Sequence, residues 1–252
     1  MTRVELRYGA ATDVGMVRAV NEDAYLAEPP VFVVADGMGG HDGGEVASGI
    51  VVEEFARIGD DRLDTVAAAR RIVDALVASQ ARIGEFSAEH RAQGSPQWYS
   101  GTTVVVALLV AEGADAAWLV VNLGDSRAYR LSGGDLSQVT VDHSVVQELI
   151  DAGEIDPGDA SLHPDRHVVT RALGGPEEVA PDFFLVPLAD AERLLLCSDG
   201  VNGMIDDERI GAILREAPDP GAAADRLVAA AIEAGGRDNA TAVVVDVVGW
   251  AP

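Results

Sequence analysis

Two runs of mostly apolar residues in this chain stop at the same dipeptide. Val31-Phe32-Val33-Val34-Ala35 ends in Asp36-Gly37, and Leu194-Leu195-Leu196-Cys197-Ser198 ends in Asp199-Gly200. Each places a carboxylate at the tip of what reads as a buried strand, followed by a residue with no Cβ. Two further acidic sites are alike: Asp125 follows the run from Ala116 to Val121, and Asp238-Asn239 stands just ahead of Thr241-Ala242-Val243-Val244-Val245. Strand-tip carboxylates from distant segments can meet in one cleft, where apolar surroundings make like charges costly unless a cation neutralises them. Hard divalent cations take oxygen ligands, so the first expectation is a Mg²⁺ or Mn²⁺ centre.

Other residues fit such a centre. In Arg18-Ala19-Val20-Asn21-Glu22-Asp23 the planar fork of Arg18 suits phosphate oxygens, and Glu22 and Asp23 could orient water on a cation from one shell out. In Asp36-Gly37-Met38-Gly39-Gly40-His41 the two oxygens of Asp36 can bridge two cations, and glycine at 37 leaves its carbonyl approachable. Each block alone has a plainer reading: a polar loop, a Gly-rich strand-to-helix turn, an Asx turn at Asp125, a turn residue at Asp238. Histidines 41, 90, 143, 163 and 167 make no metal-spaced pair of the His-Glu-x-x-His type. His41 and His163 are the two near motif segments, as proton donors or as solvated loop residues.

Composition removes whole classes of chemistry. All 18 basic residues are arginine, so no lysine serves a phosphate loop, a Schiff base or a kinase strand. The net charge of −24 opposes non-specific binding to nucleic acid or to anionic membrane. Cys197 is the one cysteine, and Gly203 stands six positions on, where a cysteine phosphatase needs arginine. No disulfide can form within the chain, and no run reaches the roughly 18 apolar residues of a membrane span. A soluble, cytoplasmic protein is expected, without signal peptide, sensor, membrane or kinase segment.

Strands are expected near 4–10, 31–35, 102–110, 116–123, 127–131, 136–140, 182–186, 193–197 and 241–248, several joined by hairpin turns such as Ser132-Gly133-Gly134-Asp135. Helical spacing runs through Val46, Ile50, Val51, Phe55 and Ile58, with Asp42 to Glu45 as a capping box, then through Ile72, Leu76, Ile83 and Phe86. A short helix is expected at 145–150, one capped by Asp206, and one opened by Asp219-Pro220. Strands following strands and helices in pairs mean antiparallel sheets with segregated helices. No boundary divides the chain, and the irregular stretch from Glu154 to Thr170 is expected to be a surface flap.

Taken in order, seven elements resemble the metal-dependent protein phosphatases, the type 2C serine/threonine phosphatases, in their bacterial form. They are Arg18 with Asn21-Glu22-Asp23, Asp36 to His41, Gly101-Thr102-Thr103, Gly124-Asp125-Ser126-Arg127, Thr170-Arg171-Ala172-Leu173-Gly174, Ser198-Asp199-Gly200, and Gly236-Arg237-Asp238-Asn239-Ala240-Thr241. The resemblance implies a single catalytic domain over residues 1–252, with an α+β, four-layer α/β/β/α sandwich of two antiparallel sheets flanked by helix pairs. It implies two Mn²⁺ or Mg²⁺ ions, with Asp36 bridging them, the Gly37 carbonyl on one, and Asp199 and Asp238 on the other. Asp125, with Asp199, matches the position of a third, weaker ion. Arg18 matches the phosphate-binding residue, and Glu22, Asp23 and Asn239 stand one shell out.

The implied reaction is hydrolysis of phosphoserine and phosphothreonine by direct attack of a metal-bridging water, opposing serine/threonine kinases. Phosphorylated proteins are the expected partners, and the chain is expected to act as a monomer. Where eukaryotic members carry a proposed general-acid histidine, this chain has Met38, so the proton must come from elsewhere, with His41 or water at the Asp125 position as candidates. A pseudophosphatase and a hydrolase of small phosphate esters are the competing readings. The first is disfavoured because no metal aspartate is missing.

Overall fold

A computed structural model describes residues 3–39, 43–59, 63–94, 98–113, 115–175 and 180–251. Its core is two antiparallel sheets laid face to face. One runs in the order β1 (Arg3–Asp13), β11 (Ala240–Ala251), β10 (Arg193–Cys197), β7 (Arg127–Ser132), β8 (Asp135–Gln138). The other runs β2 (Asp23–Glu28), β3 (Val31–Gly39), β5 (Val104–Glu112), β6 (Asp115–Leu123), β9 (Asp182–Pro187), with β4 (Ser100–Thr102) on β3. The β-branched and apolar runs of the sequence supply these strands because both faces of each central strand are covered.

Three apolar layers follow from that stacking. Phe32, Val105, Trp118, Leu194, Leu196 and Val243 fill the space between the sheets. Phe32 meets Tyr8 and Trp118 edge to face, with ring centroids 5.6 and 5.8 Å apart. On the outer face of the β3 sheet, α1 (Gly43–Ala56) and α2 (Thr65–Ala92) seat Val51, Phe55, Ile72 and Ile83. On the outer face of the β10 sheet, α5 (Asp207–Glu216) and α6 (Pro220–Glu233) seat Ile210, Leu214, Leu227 and Val228. Leu195 and Leu196 point to opposite faces of β10 and are wholly buried. Truncating either to alanine would cost roughly 2–5 kcal/mol.

The helix starts are set locally. Asp64, Asp206 and Asp219 each accept a hydrogen bond from the backbone N–H three residues on, at 2.8 Å. Three strands or α-helices were not expected: β2; β4, because the expected strand at 102–110 breaks at Thr103 into β4 and β5; and the one-turn α4 (Asp199–Asn202) that begins at Asp199 itself. The capping box begins at Asp42, which lies outside the described residues, and α1 opens at Gly43. α3 (Val145–Asp151) leads into the expected flap at 154–170, which contains a 3₁₀ turn, Pro157–Leu162. Among the described residues, no helix is long and apolar enough to cross a membrane.

Candidate active site

At one end of the sandwich the strands stop or break, and the acidic residues stand at those breaks. β3 pairs with β5 from Val31↔Leu108 to Val34↔Val105, then changes partner and pairs with β4 from Gly37↔Thr102 onward. Asp36 sits at the changeover. Its N–H donates to Thr103 Oγ1 at 3.2 Å, and its carbonyl accepts from the Thr103 N–H and the Thr102 hydroxyl, both at 2.9 Å. The Thr102-Thr103 pair therefore fixes the backbone of Asp36, while the carboxylate faces the cleft. Asp199 leaves the end of β10 as the first residue of α4. Asp125 stands in the turn between β6 and β7, and Asp238 precedes β11.

Glycine is required where these segments touch. A Cβ on Gly37 would overlap the carbonyl oxygens of Gly44 and Glu22, and one on Gly200 would overlap that of Asn239. The second Asp-Gly therefore places Asp199 against the Asp238-Asn239 segment, which a turn alone does not require.

A cleft of about 470 Å³ is lined by Arg18, Glu22, Asp36, Gly37, Asp125, Asp199 and Asp238 among others. Five segments far apart in sequence thus bring seven of the ten expected site residues to one opening. Two more, Asp23 and Asn239, brace the wall. Asp23 Oδ2 accepts from the hydroxyls of Ser198 and Thr241, each at 2.7 Å. Asn239 Oδ1 accepts the Glu22 N–H at 2.9 Å, and its Nδ2 donates to the carbonyls of Val14 and Val20 at 2.9 and 3.0 Å. Asn239 so ties the loop that carries Arg18 and Glu22 to the segment that carries Asp238. Glu22 Oε1 accepts the Gly44 N–H at the start of α1, at 3.2 Å. His41 lies outside the described residues.

The electrostatics of this end are strained. Burial, together with the charges of Asp23, Asp199, Asp125 and Asp238, pushes the Asp36 carboxyl well above the usual carboxylate range. Asp23 is pushed up to about 7 by burial against the help of Thr241 and Ser198, with Asp199 and Asp238 adding to the rise. Asp125, only 8 % exposed, is also pushed up to about 7, by burial and then by Asp199 and Asp142. Asp23 Oδ1 is buried with no hydrogen bond. Like charges held this close, with an unpartnered buried oxygen behind them, are what divalent cations would relieve, and an all-oxygen set suits Mn²⁺ or Mg²⁺. Among the described residues, no three His, Cys, Asp or Glu side chains are placed as a ready metal cage.

The family model described as protein phosphatase 2C matches residues 17–230. The chain belongs to the protein phosphatase 2C family. It is 39% identical over 252 residues to the serine/threonine protein phosphatase PstP of Mycobacterium tuberculosis, a match covering 99% of this chain and 47% of that one. The chain thus spans about half the length of that curated relative. The serine/threonine phosphatase stp of Listeria monocytogenes is 35% identical over 243 residues, covering 93% of each chain. Among solved structures, the catalytic domain of PstP in complex with two manganese ions superposes with a TM-score of 0.80 at 36% identity, covering 99% of this chain and 100% of that one. The family's sandwich of two antiparallel sheets with flanking helices is the fold described above.

Within this phosphatase fold the flap approaches the site. Arg166, His167 and Val169 line the cleft, and His167 Nδ1 stands 3.9 Å from Asp199 Oδ2, which draws the His167 pKa up. His163 instead accepts the Asp165 N–H within its own turn, at 3.2 Å. His167 and the cleft-lining Arg237 carry no spacing signal in the sequence, since one sits in an irregular segment and the other precedes a turn. Cys197 is fully buried and its thiol is pushed up to about 12 by that burial, so it is a packed core residue with no nucleophilic role.

Proposed function

We propose that this chain is a metal-dependent protein serine/threonine phosphatase, and that residues 1–252 act as one catalytic unit. The observation that carries the reading is the single cleft in which Asp36, Asp125, Asp199 and Asp238 converge beside Arg18, in a chain of the protein phosphatase 2C family. In this reading Asp36, the Gly37 carbonyl, Asp199 and Asp238 would hold two Mn²⁺ or Mg²⁺ ions, with Asp36 shared between them, and Asp125 with Asp199 would hold a third. Bound there, the ions supply positive charge and a water made acidic enough to attack phosphorus near neutral pH.

The chain's own residues do the rest. Arg18, half exposed at the cleft mouth, offers a planar fork to the phosphoryl oxygens, orients the ester for in-line displacement and balances its developing charge. Asn239 and Asp23 keep the ligand-bearing segments in register. Met38 also lines the cleft and has no proton to give, so the leaving serine or threonine oxygen takes its proton from another group. His41 keeps the candidacy the motif gives it.

Phosphoproteins are the proposed substrates, with serine/threonine kinases and their targets among them. Action as a monomer is part of the proposal. The single cysteine, buried and unpaired, supports the cytoplasm. The test is hydrolysis of p-nitrophenyl phosphate and phosphothreonine peptides with Mn²⁺ and with excess EDTA. Activity with Mn²⁺ that disappears with EDTA is expected, and equal activity in both would overturn the reading.

A further inference from the structure

The turn that carries Asp125 is held from outside by one dipeptide, Asp142-His143. Asp142 accepts from Arg127 at three contacts, 2.9 and 3.0 Å from Nε and 2.7 Å from Nη2, which pins the trailing end of Gly124-Asp125-Ser126-Arg127. His143 grips the leading end twice. Its backbone N–H donates to the Gly124 carbonyl at 2.9 Å, and its ring Nδ1 accepts the Gly124 N–H at 3.1 Å. An accepting Nδ1 puts the ring proton on Nε2, which faces Asp182 Oδ2 at 3.2 Å on β9. Arg171 Nη1 is also 3.2 Å from Nε2, so the Nε2 proton belongs to Asp182 and the Arg171 donors turn to the same carboxylate. Arg171 Nη1 lies beside the same carboxylate, 3.5 Å from Asp182 Oδ1.

His143 is also where the excursion that carries α3 and the flap begins and returns. Its carbonyl accepts the Thr170 N–H at 2.8 Å, Val145 N–H donates to Val168 at 2.9 Å, and Ser144 bridges to Val169. The His143 side chain is buried at 5 % exposure. A backbone pair alone would let the turn pivot about a single bond, and the ring bond makes the grip two-point. Residues 144–170, which bring Arg166 and His167 to the cleft, are therefore anchored on the residue that fixes the Asp125 turn.

We infer that His143 is a positioning residue: its Nδ1 holds the Gly124 amide, and through it the carboxylate of Asp125, in fixed relation to the base of the flap. The inference rests on the reading of Asp125 as a ligand to the weakest-bound cation. Partners one shell out from a ligand are commonly worth about 10–100-fold in metal affinity.

Two amide substitutions separate the ring's nitrogens. Asparagine places Oδ1 where Nδ1 stands, whereas glutamine reaches the Nε2 position and offers nothing to Gly124. The experiment is Mn²⁺ titration by calorimetry of the parent, Asp125→Ala, His143→Asn and His143→Gln, with amide deuterium exchange of the metal-free proteins as a second readout. Asp125→Ala should lose the weakest class of site. His143→Gln should weaken that class by about tenfold or more and leave the tighter class parent-like, whereas His143→Asn restores it. The Gly124 amide should exchange faster in His143→Gln than in His143→Asn, a comparison that requires no metal.

Equal behaviour of the two variants in both readouts would overturn the inference, as would a loss spread evenly over all sites in His143→Gln. If Asp125→Ala loses a site and His143→Gln loses none, the inference falls while the reading of Asp125 stands. If Asp125→Ala titrates like the parent, that reading fails and takes the inference with it.

Discussion

Arg18 Nη2 donates to Asp238 Oδ2 at 2.7 Å, joining two residues 220 positions apart across the cleft mouth. The other oxygen of Asp238 accepts the N–H of Asn239 at 2.9 Å. The arginine proposed to meet phosphate is thus aimed by the aspartate proposed to meet a cation. Only one edge of the guanidinium is used, and the side chain is 50 % exposed, so donors remain for a ligand. The pair holds Arg18 ready without sequestering it.

An exposed ion pair of this kind adds little to stability, typically about 0–1 kcal/mol. Charge-assisted bonds to a phosphoryl group are stronger, roughly 1.5–3 kcal/mol. Arg18→Ala is therefore expected to lower kcat/KM for phosphopeptides by about 10–150-fold while leaving Tm nearly unchanged. Steady-state kinetics beside a thermal melt checks both. A large fall in Tm with an unchanged kcat/KM would give Arg18 a structural role instead.

Asp36 poses the opposite balance. Burial and four neighbouring carboxylates make its charge expensive in the metal-free fold. Asp36→Asn keeps the shape and removes the charge. It should raise the Tm of the chelated protein by a few degrees while cutting Mn²⁺-dependent turnover at least about 100-fold. The neutral amide cannot bridge two cations, so the stabilisation that Mn²⁺ gives the parent should also shrink. A drop in the chelated Tm would show that repulsion is not the dominant cost at this position.

Most of this site was legible because the carboxylates proposed as ligands stand where strands end. A run such as Val31 to Ala35 announces a buried strand, and the carboxylate that follows must then lie at a sheet's edge. The order of strands, and so which tips meet, is not written in any local window. β2 was missed because Asp23-Ala24-Tyr25-Leu26-Ala27-Glu28 alternates weakly, with Tyr25 exposed and only Leu26 buried. α4 was missed because four residues carry no helical period. Gly200 had no visible reason until its neighbour, the Asn239 carbonyl, was in place. His143 and His167 were passed over because each acts through partners far along the chain.

The titration of Asp23 and Asp125 predicts how Mn²⁺ and pH act together. In the unfolded chain these two carboxylates ionise near 3.8, whereas in the fold they keep their protons until about 7. The folded state binds more protons across that window. Their contribution to metal-free stability is therefore full below 3.8 and drains away as pH rises through about 7. Mn²⁺ must displace those protons, so its affinity grows over the same range. The gap in Tm between Mn²⁺-loaded and chelated protein should widen from about pH 5.5 to about pH 8. Scanning fluorimetry across that range decides it, and a gap that narrows toward high pH would contradict the assignment.

Gly200 and Gly49 give a paired test of how tightly the second Asp-Gly is built. A Cβ at Gly200 would collide with the Asn239 carbonyl, whereas one at Gly49, within α1, meets nothing within 4 Å. Gly200→Ala must push α4 away from the Asp238-Asn239 segment, at a cost of about 1–3 kcal/mol. In a chain of this size that lowers Tm by roughly 2–10 °C. Because Asn239 also holds the loop carrying Arg18 and Glu22, the same substitution should weaken Mn²⁺ binding and raise KM together. Gly49→Ala removes helix-opposing freedom in open space and should raise Tm slightly, leaving kinetics unchanged. Matched melts, Mn²⁺ titrations and kinetics on the two variants separate a site-specific collision from a general intolerance of added volume. Equal losses in both would mean that Gly200 does nothing particular for the placement of Asp199.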